Sequence, residues 1–142
     1  MGHSLLLLFA SFRWTVFWGA IPIGLLAAAM LHANNLRDRE HDPLVGKMTL
    51  ANLRSEKRAK QELTILVLSA YFMQAVLVAM GILPLLSSIS LLSLPLAFTI
   101  IRRTAKSKTP LELNLVLGLT VLLHLLFGMS HAMGLFSSVL LA

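Results

Sequence analysis

Four long apolar runs dominate the chain, at residues 14–33, 63–83, 85–101 and 113–135. A helix needs roughly 17–25 largely apolar residues to cross a bilayer, and each run lies within or close to this range. The runs are continuous rather than alternating, and inside hydrocarbon only helices and closed barrels satisfy every backbone polar group. The pattern therefore predicts an all-α, multi-pass transmembrane bundle of about four spanning helices.

Two shorter features lie between and before these runs. Pro84 and the nearby Ser87-Ser88 favour a tight turn between two antiparallel helices, since proline and serine are common in turns. The apolar segment 5–10 is too short to span a membrane. We expect it to form the last turns of a further helix.

Composition and charge agree with a lipid environment. Of the 142 residues, 57% are hydrophobic and only 13% are charged, whereas soluble domains carry about 25% charged residues. Basic residues concentrate in the ranges 37–60 and 102–108, and Arg13 is the one outside them. Clusters beside apolar runs are typical of membrane-flanking charge, so we expect no nucleic-acid partner. The positive-inside rule predicts a cytoplasmic loop over residues 34–62, in a protein of the cell inner (cytoplasmic) membrane.

The polar segment after the first run carries the clearest chemical pattern. Asp38 and Asp42 are four residues apart and would share one face of a helix, and Asn34 lies four residues before Asp38. Carboxylate and carboxamide oxygens suit Mg²⁺, which takes one or two protein carboxylates and completes its shell with water and substrate phosphates. The chain has no cysteine, so a thiolate metal site is excluded. We therefore predict that Asp38, Asp42 and Asn34 bind Mg²⁺.

Cations surround these acids, with Arg37, Arg39 and Lys47 nearest in sequence. Lysine and arginine are the usual partners of phosphate oxygens. Metal-binding carboxylates together with cations are what a diphosphate leaving group requires. The segment therefore predicts ionisation of an allylic diphosphate, in which the metal and the nearby cations stabilise the charge on the departing diphosphate. Asp38 and Asp42 are the candidate catalytic residues.

Helical periodicity suggests how the first run faces its neighbours. Small residues at four-residue spacing favour helix contacts in membranes. One such stripe continues from small residues into the polar segment, through Ala20, Gly24, Ala28, Leu31, Asn35, Asp38 and Asp42. We expect this stripe to point into the bundle, which would direct the acids into a cavity.

The last run has a polar stripe of its own, which comprises Asn114, Gly118, Val121, His124, Gly128 and His131. Ionisable residues inside membranes usually face the bundle interior. The favoured interpretation is that His124 and His131 pack against neighbouring helices. The alternative is that they line a polar substrate path.

The motif from Asn34 to Asp42, followed by Gly46-Lys47-Met48-Thr49-Leu50, resembles the second aspartate-rich motif of the UbiA superfamily of intramembrane prenyltransferases. It is most similar to that of the 1,4-dihydroxy-2-naphthoate polyprenyltransferases of menaquinone synthesis. The resemblance implies nine transmembrane helices, with two aspartate-rich motifs facing each other across a cavity. It also implies a polyprenyl diphosphate donor and an aromatic acceptor.

The same resemblance assigns roles at individual positions. It implies that Asn34, Asp38 and Asp42 bind Mg²⁺ and diphosphate. It places Asn35 where the family can carry an acid, and it implies that Asn35, Lys47 and Arg37 contact the diphosphate.

Three departures from the family pattern stand out. Pro43 directly follows Asp42 and disfavours helical geometry there, so it would end the motif helix early. Residues 52–55 read Asn-Leu-Arg-Ser, where the naphthoate enzymes tend to have Arg-Leu-Gly. The first aspartate-rich motif has no counterpart among the six acids. The chain therefore corresponds to helices six to nine, as a fragment, an internal start or one part of a split protein, and we expect it to lack turnover alone.

Two alternatives remain at this point. Another acceptor of the same superfamily, such as 4-hydroxybenzoate or chlorophyllide, would use the same motif. A non-catalytic four-span membrane protein could instead hold anionic lipid with its basic loops, because clustered lysine and arginine beside membrane spans attract such lipids.

Overall fold

The computed structural model describes the backbone of residues 2–140 and the side chains of residues 14–137 and 140. Its five α-helices are α1 (Gly2–Arg37), α2 (Leu50–Leu53), α3 (Glu56–Ala79), α4 (Leu94–Lys106) and α5 (Pro110–Leu140). Two 3₁₀ segments join them, at Asp42–Val45 and Leu85–Ser93.

The all-α prediction is confirmed, because the described residues contain no strand. Four segments are long and apolar enough to cross a membrane, at Trp14–Arg37, Glu56–Ala79, Leu85–Lys106 and Pro110–Ser137. They correspond to the four predicted runs.

Several boundaries differ from the sequence prediction. Residues 5–10 continue without a break into α1, so they are not the end of a separate helix. The second span ends at Ala79 rather than at residue 83, and the chain turns before Pro84. Gly81 occupies this turn with φ +69°, a left-handed conformation that glycine adopts without a steric penalty. Ser87 and Ser88 lie in the 3₁₀ segment and not in the turn.

The first part of the third span is a nine-residue 3₁₀ segment rather than an α-helix. Side chains satisfy its backbone carbonyls: Gln74 Nε2 donates to the carbonyl of Ser87 at 3.0 Å, and Ser90 Oγ donates to the same oxygen at 2.9 Å. Ser93 Oγ bonds the Tyr71 hydroxyl at 2.6 Å. Because hydrocarbon offers no water as a partner, these bonds allow an irregular backbone to persist within a membrane span.

The core forms where α1 packs against α3 and α5, and where α5 packs against the second 3₁₀ segment. Tyr71 and Phe127 meet edge to face with ring centroids 5.4 Å apart, and His131 stacks on Phe127 at 6.0 Å. His131 is fully buried and touches α1 near Gly19. His131 is therefore a packed side chain, as expected, but neither of its ring nitrogens has a hydrogen-bond partner among the described residues.

The expected orientation of the small-residue stripe on α1 is wrong for the described bundle. Ala20, Gly24, Ala28 and Leu31 are all exposed. The buried face of α1 lies elsewhere on the helix and includes Leu26, Ala29, Ala33 and Leu36. The physical reason is that α3 and α5 both pack against α1, and together they cover the face that carries Leu26.

The two basic clusters lie at the same end of the bundle. Lys60 Nζ on α3 donates to the carbonyl of Ser107 after α4, and Arg37 Nη1 on α1 donates to Asn114 Oδ1 on α5 at 3.2 Å. We call this end, formed by residues 37–62 and 102–114, the polar end. The motif therefore shares one end of the bundle with most of the positive charge.

Candidate functional site

The predicted motif begins on the last turn of α1 and continues into a turn. The α1 helix ends at Arg37, five residues before Asp42, so the early end expected from Pro43 is confirmed. Backbone hydrogen bonds of helical spacing nevertheless continue beyond Arg37, because Asp38 N donates to Asn34 O at 3.1 Å and Asp42 N donates to Asp38 O at 2.8 Å. The three predicted metal ligands therefore follow one another at about one helical turn each.

Arg37 joins three polar side chains into what we call the Arg37 cluster: Asn34, Arg37, Asp38 and Asn114. Its guanidinium donates to both carboxylate oxygens of Asp38, at 2.7 Å from Nε and 2.6 Å from Nη2. Nη2 also donates to Asn34 Oδ1 at 3.0 Å. This two-point geometry is the strong form of an arginine–carboxylate pair.

Asn114 completes the Arg37 cluster from α5, and sequence reasoning did not assign it to the site. It lies 77 residues from Arg37 along the chain. The only feature of the sequence that pointed to Asn114 was a polar side chain near the start of an otherwise apolar span. The pattern placed that side chain on the polar stripe of α5. The contact fixes the end of α1 against the start of the last span.

Arg37 also changes the acidity of the motif. Its hydrogen bonds, followed by its positive charge, lower the pKa of Asp38 below the ordinary carboxyl value, against an opposing effect of burial. Asp38 is therefore a carboxylate over the whole physiological pH range. An ionised carboxylate is the form that can bind a cation.

A second group, the Lys47 cluster, comprises Asn35, Asp42 and Lys47. Asp42 is only 4% exposed, and its Oδ2 lies 3.0 Å from Lys47 Nζ. Lys47 Nζ also donates to Asn35 Oδ1, at a long 3.5 Å. The half-exposed lysine thus covers a buried carboxylate, and the six predicted site residues fall into these two clusters.

The turn between Asp42 and Lys47 holds the second cluster together. Lys47 N donates to Asp42 O at 2.8 Å, which brings the lysine back over the acid. Gly46 has φ +75° at this reversal, where a side chain would be strained. The Gly-Lys pair of the motif is therefore explained by local geometry as well as by charge.

The loop beyond the motif is fixed by Arg39. Its Nε donates to Ala51 O and its Nη2 donates to Arg54 O, both at 2.9 Å. Asn52 adds two bonds, since Oδ1 accepts from Thr49 N at 2.9 Å and Nδ2 donates to Lys47 O at 3.0 Å. Arg39 is thus a structural residue of the loop, and Asn52 links the loop to the Lys47 cluster.

Two of the other cations near the motif already have acidic partners. Arg54 lies 3.6 Å from Glu62, and Lys60 pairs with Glu56. Lys57 and Arg58 are exposed on the first turn of α3. Arg37 and Lys47 are therefore the cations in contact with the two aspartates.

The donor set fits a hard cation only in part. Among the side chains that the structure describes, no cluster of three or more histidine, aspartate or glutamate residues could hold a metal ion. Asp38 and Asp42 offer carboxylates, and Asn34 offers a carboxamide oxygen, all within two turns. Asp42 Oδ2 is buried and accepts no hydrogen bond of good geometry from the described residues. This set suits Mg²⁺ when substrate phosphates and water supply the remaining oxygens.

Comparison with known proteins gives a consistent result. A model of the UbiA prenyltransferase family matches residues 2–126. The chain is similar to UbiA prenyltransferase domain-containing protein 1 of Xenopus tropicalis, at 30% identity over 115 residues, which is 81% of this chain and 32% of that protein. It is also similar to the protein of the same name from Gallus gallus, at 33% identity over 106 residues, which is 70% of this chain and 31% of that protein.

No solved structure matches the chain. The chain spans about a third of the length of the curated relatives that it matches.

Proposed function

This chain belongs to the UbiA prenyltransferase family, and from that premise we propose that it forms the C-terminal part of a Mg²⁺-dependent prenyltransferase. The reaction moves a polyprenyl group from its diphosphate to an aromatic acceptor. One observation carries the proposal: at the polar end, Asp38 and Asp42 are each paired with a cation that can turn to a phosphate, Arg37 and Lys47.

The two ion pairs suggest how the site is prepared for an anionic substrate. In the pairs, Arg37 and Lys47 neutralise Asp38 and Asp42. When bound by these carboxylates, Mg²⁺ would supply positive charge that stabilises the departing diphosphate. Arg37 and Lys47 would then exchange their carboxylates for phosphate oxygens, which form equally strong charge-assisted hydrogen bonds.

Asn34 and Asn35 would orient the two cations during this exchange. Asn34 accepts from Arg37 and Asn35 accepts from Lys47, so each carboxamide stays within reach of a cation that leaves its aspartate. Their role is to bind and position the side chains of Arg37 and Lys47. The apolar spans next to the polar end would hold the prenyl chain and exclude water from the allylic cation.

The exposed face of α1 is available for contact with further helices that would complete the site. Gly24 has open space around its Cα, and Ala28 and Leu31 on the same face are also exposed. Small residues on a membrane helix allow close approach of another helix. We propose that helices with a second acidic motif, in the same longer protein or in a separate chain, pack against this face.

The resemblance of the motif favours 1,4-dihydroxy-2-naphthoate as the acceptor, and hence menaquinone synthesis. 4-Hydroxybenzoate and chlorophyllide are the alternatives within the family. The polar end would lie on the cytoplasmic side of the inner membrane, since basic residues collect there.

Binding of geranylgeranyl diphosphate to the purified full chain, with and without Mg²⁺, tests the proposal. Asp38→Asn should weaken the Mg²⁺-dependent binding by about 10- to 100-fold, which is the effect of losing one interaction of about 1.5–3 kcal/mol with a charged group. Glu40→Gln is the matched control, because Glu40 is an exposed acid two residues away. It should leave binding unchanged.

Two results would contradict the proposal. Binding that ignores Mg²⁺ and survives Asp38→Asn would favour the non-catalytic protein that holds anionic lipid. Prenylated product from the purified chain without a partner polypeptide would refute the expectation that it lacks turnover alone.

A further inference from the structure

A basic cleft opens between α4 and α5 at the polar end, apart from the two clusters of the motif. It has a volume of about 430 Å³. Its lining combines charged and polar head groups with apolar surface, and includes Thr99, Arg102, Arg103, Lys106, Glu112 and Leu115. Three cations and one acid give it a net positive charge.

The side chains of the three cations in this cleft are accessible to an anion. Among the described residues, no hydrogen bond or ion pair engages the side chains of Arg102, Arg103 or Lys106, and all three are exposed. The smaller cleft between α3 and α4 has one exposed cation, Lys57, and its second cation, Lys60, already bonds Glu56 and the carbonyl of Ser107. The α4–α5 cleft therefore has donors available for an anion.

The acid in the cleft does not neutralise these cations. Glu112 Oε2 accepts from the backbone N–H groups of Lys108 at 2.7 Å and Thr109 at 3.1 Å. Glu112 N in turn lies 3.3 Å from Thr109 Oγ1, so the pair caps the start of α5. Its carboxylate is thus committed to the backbone of α5.

The cleft is also separate from the Arg37 cluster. Asn114 turns towards α1, where it bonds Arg37. At about 100° of rotation per residue, Glu112 lies about 160° and Leu115 about 100° around α5 from Asn114. An anion in the cleft would therefore not meet the diphosphate site.

We propose that the α4–α5 cleft binds the phosphate headgroup of an anionic phospholipid. The position favours a lipid, because the cationic wall comes from the last turns of a membrane span. Leu115 and Leu122, one above the other on α5, are 48% and 44% exposed and would contact the acyl chains. Basic pockets between helices at this level are typical lipid-headgroup sites.

Native mass spectrometry of the full chain in detergent, titrated with phosphatidylglycerol or phosphatidylcholine, measures this binding. The double variant Arg102→Gln/Lys106→Gln should weaken phosphatidylglycerol binding by about thirtyfold, at about fivefold for each charge. The matched control Lys57→Gln/Arg58→Gln removes two exposed cations of α3 outside the cleft. It should keep the affinity within about twofold, since screened charges outside the cleft contribute little.

A third variant, Leu115→Trp, fills the cleft without changing its charge. It should lower phosphatidylglycerol binding by about tenfold, because a headgroup and a new indole ring cannot share the space. Unchanged helicity by circular dichroism shows that each variant has folded, and the charge and volume variants provide independent tests.

Four outcomes would overturn the proposal. Equal losses in the two double variants would show a diffuse attraction, and no loss in Arg102→Gln/Lys106→Gln would remove the site. Equal binding of phosphatidylcholine would exclude recognition of anionic charge. Displacement of the lipid by inorganic phosphate at equal concentration would assign the cleft to a soluble anion instead.

Discussion

Replacing Gly134 with alanine would place a Cβ atom 2.5 Å from the carbonyl oxygen of Leu86 and 2.5 Å from the backbone N and Cα of Ser87. Ordinary van der Waals contact begins at 3.4 Å, so α5 and the second 3₁₀ segment would have to separate by about 1 Å. All three atoms belong to the backbone. No flexible side chain can rotate away to relieve the contact.

The expected cost is about 1–3 kcal/mol, the range for an added methyl group in a well-packed interior. Gly128 provides the control on the same helix, because a Cβ there would meet nothing within 4 Å. Gly128→Ala should therefore be neutral, or stabilising by about 0.5–1 kcal/mol, since alanine restricts the unfolded chain more than glycine does. Loss of far-UV circular dichroism during a titration with denaturing detergent compares the two variants.

Equal or greater stability of Gly134→Ala relative to Gly128→Ala would refute this reasoning. It would mean that the contact between α5 and the 3₁₀ segment is looser than the structure shows, or that the segment moves at little cost. A loss in both variants would point instead to a general intolerance of α5 to substitution.

Two further predictions concern the polar end. Because the pKa of Asp38 is lowered in the fold, its pair with Arg37 stabilises the protein fully above the ordinary carboxyl pKa of about 3.9, and this stability is lost as the pH falls through the folded-state value. The pair is partly exposed and worth about 1 kcal/mol or less. Arg37→Gln should therefore reduce the fall of the unfolding midpoint with decreasing pH below about pH 5. An unchanged fall in the variant would contradict the pairing. Arg39→Gln should speed chymotrypsin cleavage after the exposed Leu50 and Leu53, because two loop carbonyls lose their donor. Arg58→Gln should not, and equal rates in the two variants would argue against Arg39 as the support of the loop.

Much of the fold followed from local pattern. The four membrane segments were found because apolar runs of sufficient length have few alternatives inside a bilayer. The boundaries were less accurate near Pro84, where Gly81 makes the turn and serine side chains sustain a 3₁₀ segment. Those hydrogen bonds depend on Gln74 from the preceding helix, which no local pattern reveals.

The candidate site was likewise predicted in part from local pattern. Asn34, Asp38 and Asp42 were grouped by their spacing, and backbone hydrogen bonds at that spacing connect them. Which arginine pairs with Asp38 was not predictable, because Arg37 and Arg39 carry the same charge and lie two residues apart. Arg37 bonds Asp38, whereas Arg39 turns away to the loop carbonyls.

The sequence by itself determined the all-α membrane class, the polar motif and the resemblance to the family, since each depends on residue type and on short-range spacing. Tertiary structure alone decided which face of α1 is buried, that Asn114 reaches Arg37 across 77 residues, and that a basic cleft opens between α4 and α5. The physical reason is that burial and long-range contacts depend on which helices become neighbours. Helical periodicity shows which residues share a face, and packing determines what that face meets.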